Sequence, residues 1–311
     1  MKKSIIAIAV SSAAFAAISA HAAEESTVDI YGNIQYAYTN ADAGSDFVDN
    51  GSTIGLKGET KINDDLTAFF KYELEADADE KDGDVSVGLD QAFVGLKGNF
   101  GKAQVGSFDT IYNNAIQDSV DQFENLGFKS GDKSSEGDTV AYFSPSMNGF
   151  EVQLAAQVKG DTDAVDSDGN KVNEFDGTAV MAVAKYSNDL VSVALGYDNR
   201  ENTSADPKAT TGLSVTVMPV ANLSVTGKYE TTDDTYDITG LAARYAYGAG
   251  DVYASAQSIS PEVGDDYSEY GMGVTYSLAS NVYVYGEVGS FEDASGGDAD
   301  TQTAVGVYYG F

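Results

Sequence analysis

Carboxylates dominate the side chains that could do chemistry: Asp and Glu number 49 against 17 Lys and Arg in 311 residues, for a formal net charge of -32. The single His is His21, and the chain has no Cys and no Trp. Without thiols there are no disulfides and no Cys-based metal or redox centres. Such an acid excess sets like charge against phosphate and argues strongly against nucleic acid as a partner. The remaining acids offer cation chemistry. Asp161, Asp163, Asp166, Asp168, Asn170 and Glu174 crowd one segment, and hard oxygen ligands at that density suit Ca²⁺ or Mg²⁺. An EF-hand register fails, because Gly169 at the sixth position puts Ala164 first and Phe175 twelfth. Gly248-Ala249-Gly250 starts a dinucleotide fingerprint, but Tyr253 stands where its third glycine belongs.

The elements that must position these groups begin with a leader. Lys2 and Lys3 precede an apolar run from Ile5 to Ala20, followed by Ala20-His21-Ala22. A charged start, an apolar middle and a small-x-small site read as a secretory signal peptide, residues 1–22, cut after Ala22. Its removal takes both lysines and the only His, so the net charge moves from -32 to -34. The remaining domain, 23–311, then has no imidazole, which excludes Ser-His-Asp and Cys-His nucleophiles and His-based metal sites. Carboxylate-pair enzymes pass that filter without gaining support from it.

Beyond the leader the longest apolar stretch is about six residues, Ala179 to Ala184, far short of the ~20 a spanning helix needs. What recurs is alternation. Val28, Ile30, Gly32, Ile34, Tyr36 and Tyr38 alternate with Asp29, Tyr31, Asn33, Gln35 and Ala37. Similar combs run from Phe150 to Lys159, Val191 to Asp198 and Leu223 to Glu230. Period two puts apolar groups on one strand face and polar groups on the other. The polar faces are too wet for a sandwich core, whereas a closed barrel with a watery inside and an oily outside satisfies both. Sixteen strands are expected: 27–39, 51–61, 66–77, 86–98, 102–108, 138–143, 150–158, 177–186, 191–199, 210–218, 223–231, 236–247, 252–258, 268–278, 282–291 and 301–311. The fold class is therefore all-β, a sixteen-stranded antiparallel transmembrane β-barrel. Short links such as Ile62 to Asp65 and Ala279 to Asn281 alternate with long acidic ones such as Asn40 to Asn50, Asp109 to Gly137 and Gly160 to Asp176. That asymmetry matches the periplasmic turns and outer loops of outer-membrane barrels. Tyrosines near strand ends suit an interfacial girdle.

Three blocks carry a family resemblance. Ser52-Thr53-Ile54-Gly55-Leu56-Lys57-Gly58-Glu59-Thr60 leads into Ile62-Asn63-Asp64-Asp65-Leu66. Gln91-Ala92-Phe93-Val94-Gly95-Leu96-Lys97-Gly98 leads into Phe100-Gly101, and Tyr142-Phe143-Ser144-Pro145 into Asn148-Gly149-Phe150. These resemble strands and turns of the general diffusion porins of Gram-negative outer membranes, a sixteen-stranded trimeric family. The terminal Phe311, as the end of a last strand, resembles the assembly signal of such barrels. The resemblance implies a homotrimer without cofactor or catalytic residues. It also implies a third loop folded into the barrel, its acids facing basic side chains on the wall. The matching loop carries Asp109, Asp118, Asp121, Glu124 and Asp132, with Asp121-Gln122-Phe123 replacing the family's Pro-Glu-Phe. Asp118, Asp121 and Glu124 are the constriction acids so implied. A solvated acidic loop is the other reading of the same charges.

The wall departs from the family pattern. Thr53, Asp90 and Ser107 stand where lumen arginines are usual, and Arg200 and Arg244 are the only arginines. Alternation turns Arg244 inward, since Leu241, Ala243, Tyr245 and Tyr247 form its strand's apolar face, and turns Lys57, Lys71 and Lys228 inward too. Each lysine also has a neighbouring carboxylate to pair with, such as Glu59, Glu73 or Glu230. A passage lined by excess carboxylate concentrates cations. The expectation is an outer-membrane channel for passive diffusion of small hydrophilic solutes, preferring cations. The alternative is a saccharide-type channel using inward Tyr31, Tyr283 and Tyr285. The acidic loops are expected to meet divalent cations, either at a specific site or diffusely beside anionic lipopolysaccharide.

Overall fold

Alternating strands need a sheet with unlike faces, and the computed structural model gathers all of them into one. It describes residues 26–76, 79, 87–128, 137–158, 178–200, 207–292 and 299–311. The strands are β1 (Ser26–Ala41), β2 (Gly44–Asp49), β3 (Thr53–Asn63), β4 (Leu66–Ala76), β5 (Val87–Gly98), β6 (Gly101–Ser107), β7 (Thr139–Phe143), β8 (Phe150–Val158) and β9 (Thr178–Ser187). There follow β10 (Val191–Asp198), β11 (Thr210–Val220), β12 (Leu223–Thr232), β13 (Tyr236–Ala246), β14 (Asp251–Pro261), β15 (Tyr267–Ala279), β16 (Val282–Phe291) and β17 (Asp300–Gly310). From β3 onward each pairs antiparallel with its chain neighbour, and β17 returns to β1 through Asn33↔Gly310 to Asn40↔Thr303. Closure leaves no sheet edge, the condition for strands in a membrane.

All sixteen expected strands are present, with ends shifted by a few residues. The seventeenth, β2, corrects the expected link from Asn40 to Asn50. That segment is a hairpin in which Ala41 pairs with Gly44 and Tyr36 with Asp49. The lower half of β1 pairs with β3. Thus β2 and β3 occupy successive stretches of one stave, and sixteen staves close the wall. The expected leader, residues 1–22, and the crowded acids from Asp161 to Glu174 lie outside the described residues, as does Asp132.

Register carries one parity right around the barrel. Ile34 faces Tyr309, Val94 faces Val105, and Leu195 faces Ala184. A one-residue slip anywhere would turn a stave's apolar groups into the wet lumen. The outward side chains are exposed in the isolated chain: Ile30 at 70%, Leu241 at 59% and Val305 at 63%. Such a surface fits hydrocarbon rather than water. Tyr186, Tyr245 and Tyr276 sit near the short turns, and Tyr38, Tyr197 and Tyr270 toward the long loops, the two levels of an interfacial girdle. Phe311 seals the seam, its backbone N–H donating to Gly32 O at 2.9 Å and its carbonyl accepting from Gly32 N at 3.1 Å.

Candidate functional site

The third long connection leaves β6 and runs inside the wall. Thr110 starts a helical turn, its hydroxyl accepting from Asn113 N at 3.0 Å, the usual stabilisation of a helix start. The helix α1 (Ile111–Ala115) is followed by a 3₁₀ turn at Gln117–Val120. Five residues cannot hold a helix in water, so packing must. Ile111, Tyr112, Ala115 and Ile116 are buried against Ala155, Met181, Val183 and Ala194. This explains the run from Ala179 to Ala184. Val180 and Ala182 face outward, while Met181 and Val183 face the loop.

Inward glycines mark the track. A β-carbon on Gly196 would stand 2.8 Å from Ile116, one on Gly240 2.8 Å from Val120, and one on Gly271 2.8 Å from Phe123. One on Gly212 would collide with Ile116 outright. The loop therefore lies along the inner face from β10 to β15, and its tip goes on to β16. There Leu126 packs with Ala37, Tyr285, Phe291 and Ala304.

Polar contacts fasten the same path. The Tyr112 hydroxyl donates to Glu230 at 3.3 Å. Burial and then the neighbouring Glu230 carboxylate push that hydroxyl's pKa up. Lys228 Nζ donates to Gln117 O at 3.1 Å. At the tip, Glu287 accepts the backbone N–H groups of Glu124, Asn125 and Leu126 at 2.6, 3.0 and 2.9 Å, and the Tyr253 hydroxyl at 2.6 Å. Bonds to a charged acceptor contribute ~1.5–3 kcal/mol each, which makes this carboxylate the strongest single hold on the tip. Asn50 adds two more contacts, donating to Glu124 O at 2.7 Å and accepting from Asn125 Nδ2 at 2.7 Å.

The expected constriction acids sit on this loop with different tasks. Glu124 faces the wall's arginine: Arg244 Nη2 lies 3.4 Å from Glu124 Oε1, and Tyr283 donates to Oε2 at 2.7 Å. Asp121 is turned into its own loop, accepting from Phe123 N at 3.2 Å and Phe128 N at 3.1 Å. Asp118 accepts from Asn113 Nδ2 at 2.9 Å. Asp118 and Asp121, with Glu230 and Glu269, form the charge environment of Lys228. The acids are thus a fastened set rather than a solvated row.

Of the wall residues, Arg244 points inward as expected and also meets Asp251 at 3.5 Å and the Tyr253 ring at 4.7 Å. Lys228 is buried under the loop rather than lining open water. Lys71 reaches Glu73 at 2.7 Å and Gln91 at 3.2 Å. Lys57 lies 4.9 Å over the Tyr31 ring. Thr53 accepts from Asn33 at 2.8 Å. Asp90 sits where the β4–β5 register shifts, beside Glu73. Ser107, the last residue of β6, pairs with Ala92 on the parity of Val94 and Val105, just after Gly106 with φ 140°. Alternation gives no signal for what Glu287 and the glycines of the track meet, and none for Asn50, which lies in the expected link from Asn40 to Asn50, since their partners lie far along the chain. Among the described residues no group of three or more His, Cys, Asp or Glu is arranged to hold a metal.

Residues 7–309 match the family model described as Gram-negative porin. A monosaccharide porin of a Halomonas species is 35% identical over 374 aligned positions covering 100% of both chains. The major outer membrane protein of Halomonas elongata matches to the same extent. Among solved structures, Salmonella typhi OmpF in complex with daunomycin aligns with a TM-score of 0.74 at 20% identity, over 91% of this chain and 97% of that one. An anion-selective porin from Comamonas acidovorans aligns at 0.72 and 20%, over 92% and 100%.

Proposed function

Since the chain belongs to the Gram-negative porin family, we propose that its passage, a route for passive diffusion across the outer membrane rather than a catalytic site, prefers cations. Arg244 carries the proposal. It is the one inward arginine in the described strands, and two carboxylates, Glu124 and Asp251, already neutralise it. The acid excess of the chain, 49 against 17, then sets the sign of the field, focused by low-dielectric walls. Two unit charges ~4 Å apart at an effective dielectric near 20 interact by ~4 kcal/mol. An ion crossing a narrow opening therefore senses that sign even when partly screened.

The test is the reversal potential across a planar bilayer in a KCl gradient. The expected sign is that of K⁺ preference, declining as pH falls toward ~4, where carboxylates protonate. An anion-selective sign, or a ratio unchanged down to that pH, overturns the reading.

A second reading, passage of saccharides, is favoured by one feature. Tyr283 and Tyr308 stack inside the wall at 4.7 Å and 15°, the kind of flat face a sugar ring rests on, and the Halomonas relative is named for monosaccharides. Saturable block of the current by glucose would favour it over simple diffusion. The proposal includes a cleaved leader, residues 1–22, a homotrimer, and acidic outer loops that gather divalent cations beside lipopolysaccharide.

A further inference from the structure

Behind the root of the third loop, between α1 and the wall of β5 to β9, lies a cavity of about 250 Å³. Phe93, Phe108 and Phe143 give it aromatic walls, and its charged lining is Lys102, Lys185 and the carboxylate of Asp109. Phe93 meets Phe108 edge to face at 5.7 Å and 81° and Phe69 at 6.2 Å and 73°, an aromatic cluster along one side of the cavity. Lys102 Nζ stands 3.9 Å over the Phe143 ring, so an aromatic face holds its ammonium, with the Glu151 carboxylate in its charge environment.

Neither Lys102 nor Lys185 forms an ion pair among the described residues. Lys97, opposite Lys102 in register, is held by Glu59. Asp109 accepts from Gln91 at 3.1 Å, and Glu151, opposite Lys185, accepts from Gln153. Two cations and one carboxylate thus line a ring-sized space, and both Asp109 and the nearby Glu151 already accept from an amide.

We propose that this cavity binds a small aromatic carboxylate, its ring among Phe93, Phe108 and Phe143 and its carboxylate at the Lys102 and Lys185 ammonium groups. The volume lies just below the ~300–1,000 Å³ of ordinary ligand pockets, which suits one ring. Lys102, Phe143 and Lys185 lie near the short turns, so the site is reached from the periplasmic end, below the loop. It goes beyond the cation preference proposed for the main path and does not depend on it, because the two lysines act locally in a lumen whose overall field repels anions.

The experiment is benzoate titration of single-channel current in a planar bilayer, added on each side in turn, with cyclohexanecarboxylate as the non-aromatic match. Open-channel conductance in KCl, read in the same record, reports separately on whether a pore has formed. Expected is a saturating benzoate block, stronger from the short-turn side and stronger than that of cyclohexanecarboxylate. Lys102→Gln is expected to weaken it by on the order of tenfold, while Lys102→Arg restores it and Lys61→Gln leaves it unchanged. A block that never saturates, that cyclohexanecarboxylate matches, or that Lys102→Gln leaves intact overturns the proposal. Should Lys102→Gln give no channels, Lys185→Gln is read by the same criteria.

Discussion

At the scale of single residues, the passage is organised by pairs far apart in the chain. Glu124 and Arg244 are 120 positions apart, and Glu287 grips backbone amides 161 to 163 positions away. Three N–H groups converging on one carboxylate make a small anion seat, and the wall fills it with its own anion. Glu287→Gln tests this. The amide keeps the shape but turns one acceptor into a donor facing N–H groups, a loss of ~2–4 kcal/mol from charge-assisted bonds. The barrel should still insert, since strand pairing is untouched, while the open-channel current becomes noisier as the tip moves. Noise equal to the parent protein would show that Glu287 does not hold the tip. Strand parity made Glu287 and Arg244 legible as inward residues. Their partners were not legible, because nothing within a strand encodes what a distant loop brings to it.

At the scale of elements, the third loop has a bed prepared for it. Gly196, Gly212, Gly240 and Gly271 leave space on the inner face, and Met181, Val183 and Ala194 offer it apolar contact. The α1 segment is too short to fold alone, so its helicity is a product of that bed. Gly212→Leu is expected to push Ile116 off the wall, raise single-channel conductance and expose the loop to limited proteolysis. Gly227→Ala, where an added β-carbon meets nothing within 4 Å, should change none of these. Conductance unaltered in Gly212→Leu would mean that the loop does not narrow the path. The apolar run from Ala179 to Ala184 was visible in the sequence as an exception to alternation. Its meaning came from the loop, which converts the wet face of β9 into a dry one. The β2 hairpin was hidden in the same way: Gly44 to Asp49 carries little apolar pattern, and its strand state comes from pairing with the upper half of β1.

At the scale of the whole molecule, the oily exterior is what the rest must accommodate. Its exposed Ile30, Leu241 and Val305 would aggregate in water and are at home in lipid. The proposed trimer is tested by gel mobility before and after boiling: a slow, heat-sensitive band is expected, and a single monomer band under both conditions would count against it. The sequence by itself determined the wall. Period-two alternation is a local property of each strand, and one parity carried through sixteen staves specifies which side meets lipid, which side meets water, and that the sheet must close. The tertiary structure alone decided the opening inside it. Where the loop lies and which acids it fastens depend on contacts between residues that lie from tens to more than a hundred positions apart. Such contacts leave no periodic trace along the chain.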